Sequence, residues 1–214
     1  MVYQIDFSSF AFDSFLAFCL GILFAVTING EAQAFMAQLL GDVRQEDNSR
    51  FHFNPLRHLD VLGTIAFFAS GFGWPRNVDV ASGRFKRPRL YTVIVRLAGP
   101  VANFLLASII SSVSLIIEQF SIDPRMLEIV LGVNLMVALA NLLPLPPLAV
   151  GSILAALIPE RHSIVANRVL RVGPYLIVAL LVAERLGQGG MLDHIFSPIY
   201  EPVFSFLTKS YSFG

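Results

Sequence analysis

The chain has 214 residues, of which 55% are hydrophobic and only 14% are charged, and its mean hydropathy is +0.68. Soluble domains carry roughly 25% charged residues, so this composition excludes an ordinary soluble domain and indicates a polytopic membrane protein. The formal net charge is zero, which argues against nucleic acid as a partner. The only cysteine, Cys19, excludes an intrachain disulfide and a cysteine-based metal site.

The first half of the chain contains one long and one short apolar segment. A bilayer core about 30 Å thick needs roughly 20 apolar residues per helix. Residues 10–28 meet this length, and we expect the helix to continue to about Leu40, before Gly-Asp. Residues 59–73 are short for a crossing and predict a tilted or partly inserted helix. The alternation Val-Asp-Val predicts a short membrane-associated β hairpin or strand near 72–82.

The second half of the chain contains further apolar segments and one proline break. The segments are residues 90–117, 126–143, 148–158, 164–186 and 191–207. The sequence Pro-Leu-Pro-Pro at 144–147 breaks a helix, and broken backbone at membrane depth must be buried in protein or line a wet cavity. The predicted fold is an all-α polytopic membrane protein of about four to six membrane helices, as one domain over residues 1–214.

Charge clusters predict the orientation in the membrane. Six basic residues lie between Arg76 and Arg96, whereas the turn at 118–125 has one arginine and two acids. The positive-inside bias places the basic side in the cytoplasm, and we expect a multi-pass protein of the bacterial cytoplasmic membrane. Trp74 is expected in an interfacial belt. A basic patch is expected to contact lipid headgroups, and it consists of Arg84, Lys86, Arg87 and Arg89.

Four stretches, in order and with matching spacing, resemble the site-2 protease family of intramembrane zinc metalloproteases. They are "FNPLRHLDVLGTI", "GFGWPRNVDV", "RLAGPVAN" and "NLLPLPPLAVGS". The similarity runs from about residue 20 to 190 and is greatest to the compact bacterial branch. The resemblance therefore implies a site-2-protease-like helical bundle, and we expect no PDZ or CBS domain.

The resemblance aligns "NGEAQAF" with the family's His-Glu-x-x-His motif. In that motif two histidines one helical turn apart bind Zn²⁺, and the glutamate is the general base on the zinc-bound water. Gly30 and Ala34 stand at the histidine positions, Glu31 at the base position, and Ala149 at the third ligand position. Because glycine and alanine offer no donor atoms, the sequence predicts no metal or other cofactor. It thus predicts a pseudoprotease that is not an enzyme, with Glu31 as a relic.

Other polar residues have structural interpretations. Gly30 and Ala34 form a small-xxx-small pair, which predicts a packed helix contact in preference to an open pocket. His58 and Asp60 match family positions outside the metal shell, and we expect them in a loop or interfacial role, apart from Glu31. Amides in apolar spans usually bond neighbouring helices, which we expect of Asn103, Asn134 and Asn141.

The resemblance also implies a surface for a partner. In active relatives the broken helix and an edge strand receive an extended substrate segment, as strand addition predicts. The matching positions in this chain are Asn141, Pro144, Pro146, Pro147, Gly73 and Trp74. The main functional prediction is a non-catalytic protein that binds a membrane protein partner, as a scaffold or an accessory subunit of a larger membrane complex.

Two alternatives remain open from the sequence. The first is an intramembrane metalloprotease with an atypical metal site, which would draw its ligands from Glu31, His52, His58 and Asp60. The second is a component of a proton path or transporter in which Glu31 is the titrating group.

Overall fold

The structure is a computed structural model that describes residues 12–43, 53–186 and 191–208. Within these ranges the chain is mostly helical, with two short 3₁₀ turns at Ser82–Arg84 and Glu160–His162. The α-helices are α1 (Phe12–Leu39), α2 (Pro55–His58), α3 (Val61–Ser70), α4 (Pro88–Glu118), α5 (Arg125–Ala140), α6 (Ala149–Leu157), α7 (Ser163–Leu186) and α8 (Met191–Thr208).

The helices follow the predicted apolar segments closely, which confirms a polytopic helical membrane protein. Among the described residues, three helices are long and apolar enough to cross a membrane: Phe12–Leu39, Pro88–Glu118 and Ser163–Glu184. The expected four to six crossings stay a prediction beyond these three. The short apolar segment forms α3, whose 10 residues are too few to cross a bilayer.

Helix α5 lies at the centre, packed against both α1 and α4. Almost every residue from Ile129 to Ala140 is buried, whichever way its side chain points. A helix that is apolar on all sides is stable only when it is surrounded. Close approach to α1 occurs at Gly21, where a Cβ would lie 3.1 Å from Val133. The α1–α4–α5 core thus depends on both apolar burial and small residues.

Asparagine side chains link the three central helices. Asn29 Nδ2 in α1 donates to Asn103 Oδ1 in α4 at 2.7 Å. Asn103 Nδ2 donates to Asn134 Oδ1 in α5 at 3.0 Å, and to the carbonyl of Ala25 in α1 at 2.9 Å. All three asparagines have 0% exposure. The predicted helix-to-helix bonding of Asn103 and Asn134 is confirmed.

The proline break between α5 and α6 is partly buried and is closed by hydrogen bonds. Asn141 Oδ1 accepts from the amide of Ala149 at 3.0 Å, and its main-chain carbonyl accepts from Val150 at 3.0 Å. Asn141 therefore bonds the first turn of α6, as expected of an amide between helices. Helix α7 also covers the break, because a Cβ at Gly173 would overlap the Pro146 carbonyl.

The predicted hairpin near 72–82 is not found. The described part of the chain has no strand, and residues 72–81 form no regular element apart from one isolated antiparallel bridge, Leu59 to Pro75. Arg96 Nη1 of α4 donates to the carbonyl of Val78 at 2.9 Å. A side chain thus bonds a carbonyl that a neighbouring strand would otherwise use.

Replacing Asn103 with leucine should destabilise the helical core. The change leaves Asn29 Nδ2 and Asn134 Oδ1 without the partner that Asn103 provides, so we expect a loss of about 1–2 kcal/mol in the free energy of unfolding. The measurement is reversible unfolding by denaturing detergent in lipid–detergent micelles. Ser108→Ala is the matched control, because that exposed hydroxyl of α4 bonds only within its own helix to Phe104. Equal losses for both variants would contradict this account.

Candidate functional site

Glu31 and His58 form a buried pair on the inner side of α1. Glu31 is 5% exposed and His58 is 8% exposed. His58 Nε2 lies 2.9 Å from Glu31 Oε1, so the tautomer with a proton on Nε2 donates to the carboxylate. The same oxygen accepts from the main-chain N–H of Phe53 at 3.1 Å. Glu31 is therefore hydrogen-bonded by the chain that follows residue 52.

Local sequence explains how His58 reaches α1. Asn54 Oδ1 caps α2 by accepting from the amide of Leu56 at 3.1 Å, and Pro55 occupies the first turn, where its missing N–H has no effect. The single turn of α2 ends at His58, and Leu59 returns to an extended conformation. Phe53 adopts φ +39, a left-handed conformation that is rare for a bulky residue.

The imidazole of His58 occupies the space beside Gly30. A Cβ built on Gly30 would overlap His58 Nδ1 and lie 2.7 Å from Cε1. The residue next to Glu31 thus packs against the imidazole of His58 in α2. The helix contact expected of the Gly30 and Ala34 pair stays a prediction. The expectation that His58 lies apart from Glu31 is wrong. The contact was missed because Glu31 and His58 are 27 residues apart in the sequence. The glycine directly before Glu31 is the sequence feature that could have indicated it, because a residue without a side chain leaves room for the ring.

Asp60 has a structural role in this geometry. Its Oδ1 accepts from the amide of Gly63 at 2.8 Å and caps α3. The main-chain carbonyl of Asp60 accepts from the hydroxyl of Thr64 at 2.6 Å. A loop role for Asp60 is therefore confirmed, at the N-terminus of α3.

The donors of the described residues do not fit the zinc site that the resemblance implies. Ala34 and Ala149 are buried, at 3% and 4% exposure, and their side chains have no donor atoms. No group of three or more His, Cys, Asp or Glu side chains in the described ranges could hold a metal ion. Glu31 and His58 provide two donors, whereas protein zinc sites use at least three protein ligands. His52 lies outside the described residues.

A row of polar side chains continues from the site toward α4. Gln33 Nε2 donates to Asn29 Oδ1 at 2.8 Å. Arg96 Nη1 donates to Gln33 Oε1 at 3.0 Å and also holds Val78. Arg96 thereby fixes segment 72–81 relative to both α1 and α4.

The predicted partner surface has two parts, one at Gly73 and Trp74 and the other at the proline break, and the structure places both beside one apolar cluster. Trp74 is 1% exposed and belongs to the same core cluster as Leu148 beside the proline break, with Leu145 packed against it. Trp74 is therefore a core residue, and its predicted place in an interfacial belt is wrong. Gly73 and Pro146 are also buried, Pro147 is half-buried, and Pro144 is exposed.

The basic patch lies at the start of α4. Its four cationic residues are exposed, as predicted for contact with solvent or lipid headgroups: Arg84, Lys86, Arg87 and Arg89. Arg84 Nη1 donates to the carbonyl of Val43 at 2.6 Å, which joins the patch to the segment after α1. Contact with lipid headgroups stays a prediction.

Long apolar helices, a proline-broken helix and a buried acid–imidazole pair define a polytopic membrane protein with a polar centre inside its helical core. A protein of Bacillus subtilis (strain 168) named "Putative zinc metalloprotease YwhC" is 31% identical over 201 aligned residues, covering 85% of this chain and 91% of the relative. The chain belongs to the site-2-protease-like family that this relative represents. No protein-family model matches the chain. No solved structure matches it significantly either.

This relationship contradicts the prediction that the chain is not an enzyme. The relative is named as a zinc metalloprotease, and it matches most of the chain. The sequence argument rejected the zinc site from Gly30, Ala34 and Ala149, and it considered His58 only for the alternative metal site. It did not place His58 beside Glu31, where α2 brings the imidazole through tertiary contact.

Replacing Asp60 with alanine should remove the cap of α3 and leave the Glu31 pair intact. We expect a loss of about 1 kcal/mol in the free energy of unfolding, whereas Asp60→Asn should be nearly neutral because asparagine caps helices equally well. Denaturant unfolding of the three proteins tests this. A loss for Asp60→Asn as large as that for Asp60→Ala would contradict a capping role and point to a need for the negative charge.

Proposed function

We propose that the chain is an intramembrane peptidase of the site-2-protease family, with an atypical centre formed by Glu31 and His58. The observation that carries the proposal is the buried 2.9 Å contact between these two side chains. Ionisable groups inside membrane helices are rare and usually functional. Family membership supports a hydrolytic role, since the relative is named as a metalloprotease.

In this proposal the two side chains have proton-transfer and orienting roles. Glu31 accepts a proton from a water molecule whose oxygen attacks the peptide carbonyl carbon. As the C–N bond breaks, Glu31 returns the proton to the leaving amine. His58 holds Oε1 in place through Nε2 and stabilises the carboxylate. General base catalysis of this kind contributes typically 10²–10⁴-fold. No step passes through a metal, because the described donors do not form a metal site.

The proposed substrate is a membrane protein with an extended segment. The main-chain N–H of Arg76 donates to the carbonyl of His58 at 2.7 Å, so segment 72–81 is attached directly to the residue that contacts Glu31. The side chains of Asn77 and Asp79 are exposed, whereas residues 72–75 are buried. A polypeptide that docks along residues 76–81 and at Pro144, the exposed proline of the break, would therefore lie close to the polar centre. Membership of a larger complex and location in the bacterial cytoplasmic membrane stay predictions.

Replacing Glu31 with glutamine should abolish cleavage. Cells that lack the gene are supplied with the wild-type chain, with Glu31→Gln, or with Glu118→Gln at matched levels. Mass spectrometry of protein termini in their membranes then measures new termini inside apolar segments. We expect Glu31→Gln to lower these termini at least 100-fold, because an amide cannot accept the proton. Glu118→Gln changes an exposed acid at the end of α4 and should match the wild type.

If the new protein termini inside apolar segments are as abundant with Glu31→Gln as with the wild type, the proposal is contradicted.

A proton path through Glu31 is the second candidate, favoured by the same buried acid–imidazole contact. Liposomes that contain the purified chain and a pH-sensitive dye separate the two functions. Proton flux that Glu31→Gln abolishes, without any cleavage in cells, would support the second candidate and exclude the first.

A further inference from the structure

Gly30 forms a notch in the surface of α1 that is filled by a ring from another part of the chain. A Cβ at this position would overlap His58 Nδ1 and would lie 2.7 Å from Cε1 and 3.0 Å from Cγ. Three ring atoms thus lie where any side chain at position 30 would begin. Gly83, in contrast, has nothing within 4 Å of its added Cβ. The absence of a side chain at Gly30 is therefore required by its neighbour.

Two consecutive residues of α1 fix the orientation of the ring. Gly30 receives the Nδ1 side, and Glu31 Oε1 contacts Nε2 at 2.9 Å. His58 is 8% exposed, so the ring is almost fully enclosed. If residue 30 carried even a methyl group, the ring would have to move away from α1 and Nε2 would leave Glu31.

The main chain of His58 links the Glu31 contact to segment 72–81. Its carbonyl accepts from the N–H of Arg76 at 2.7 Å, and the next residue, Leu59, forms the bridge to Pro75. The side chain of His58 thus contacts Glu31 while its backbone holds the segment proposed to receive a substrate.

We infer that His58 is the positioning residue of the Glu31 centre, and that Gly30 is the notch that admits its imidazole. The chain supplies from α2 an imidazole at the place where the family motif has a histidine on α1. The inference concerns packing and orientation, and only its consequence for cleavage rests on the proposed peptidase function. It predicts that residues 30 and 58 are energetically coupled, since only one of them can fill the notch.

A double-mutant cycle tests the coupling without reference to activity. The full chain is purified in mild detergent as wild type, Gly30→Ala, His58→Ala and Gly30→Ala/His58→Ala, and the melting temperature of each is measured. Gly30→Ala should lower the melting temperature by roughly 5 °C or more. In the double variant the alanine at position 30 occupies space that the ring has left. The decrease in the melting temperature of the double variant should therefore be clearly smaller than the sum of the decreases in the two single variants.

Gly83→Ala is the matched control, since its added methyl group meets open space, and it should melt within about 1 °C of the wild type. If Gly30→Ala yields no folded protein, the double variant is expected to fold again. Additive losses, or failure of the double variant to restore folding, would overturn the inference.

Cleavage then tests positioning against a merely structural role. His58→Gln keeps a side-chain N–H that can donate to Glu31, so it should retain cleavage within about tenfold of the wild type. His58→Ala should lose at least 100-fold at a temperature well below its melting point. Wild-type cleavage by His58→Ala would overturn the positioning role. If the melting temperatures show coupling between residues 30 and 58 but no variant cleaves, not even the wild type, the inference about the notch stands and the peptidase function is refuted.

Discussion

The hydrogen bond between Glu31 and His58 joins parts of the molecule that are far apart in the sequence. A carboxyl group inside a membrane helix is unfavourable unless it is hydrogen-bonded. Glu31 obtains such bonds from His58 and from the main chain at Phe53. These contacts bring α2 against α1, and the carbonyl of His58 then holds Arg76 of segment 72–81. The position of the proposed substrate-binding segment therefore depends on one buried acid.

A second set of polar contacts keeps this arrangement rigid. The asparagines of α1, α4 and α5 fix how the central helices sit along one another, because each amide would lose a buried partner if a helix slid. Arg96 extends the set from Gln33 in α1 to Val78 in segment 72–81. The segment is thus held at one point by the His58 carbonyl and at another by Arg96.

Local patterns were sufficient for most of the fold. Apolar length predicted α1 and α4, and two adjacent prolines predicted the interruption between α5 and α6, because both are properties of continuous stretches of chain. Amides within apolar spans predicted the bonding of Asn103. Contacts between distant segments were missed: His58 was separated from Glu31 by a polar stretch, and Trp74 was assigned to an interface although it packs in the core. The sequence argument about zinc ligands considered His58 only for the alternative metal site and did not place its imidazole beside Glu31.

The account depends on Glu31 and His58 being in contact in the membrane. Solid-state NMR of the chain in lipid bilayers, with ¹⁵N-labelled histidine and ¹³C-labelled glutamate, measures the dipolar coupling between Glu31 Cδ and His58 Nε2. We expect a strong coupling in the wild type that is greatly weakened in Gly30→Ala and unchanged in Gly83→Ala. A histidine signal without coupling to Glu31 in the wild type would contradict the central claim.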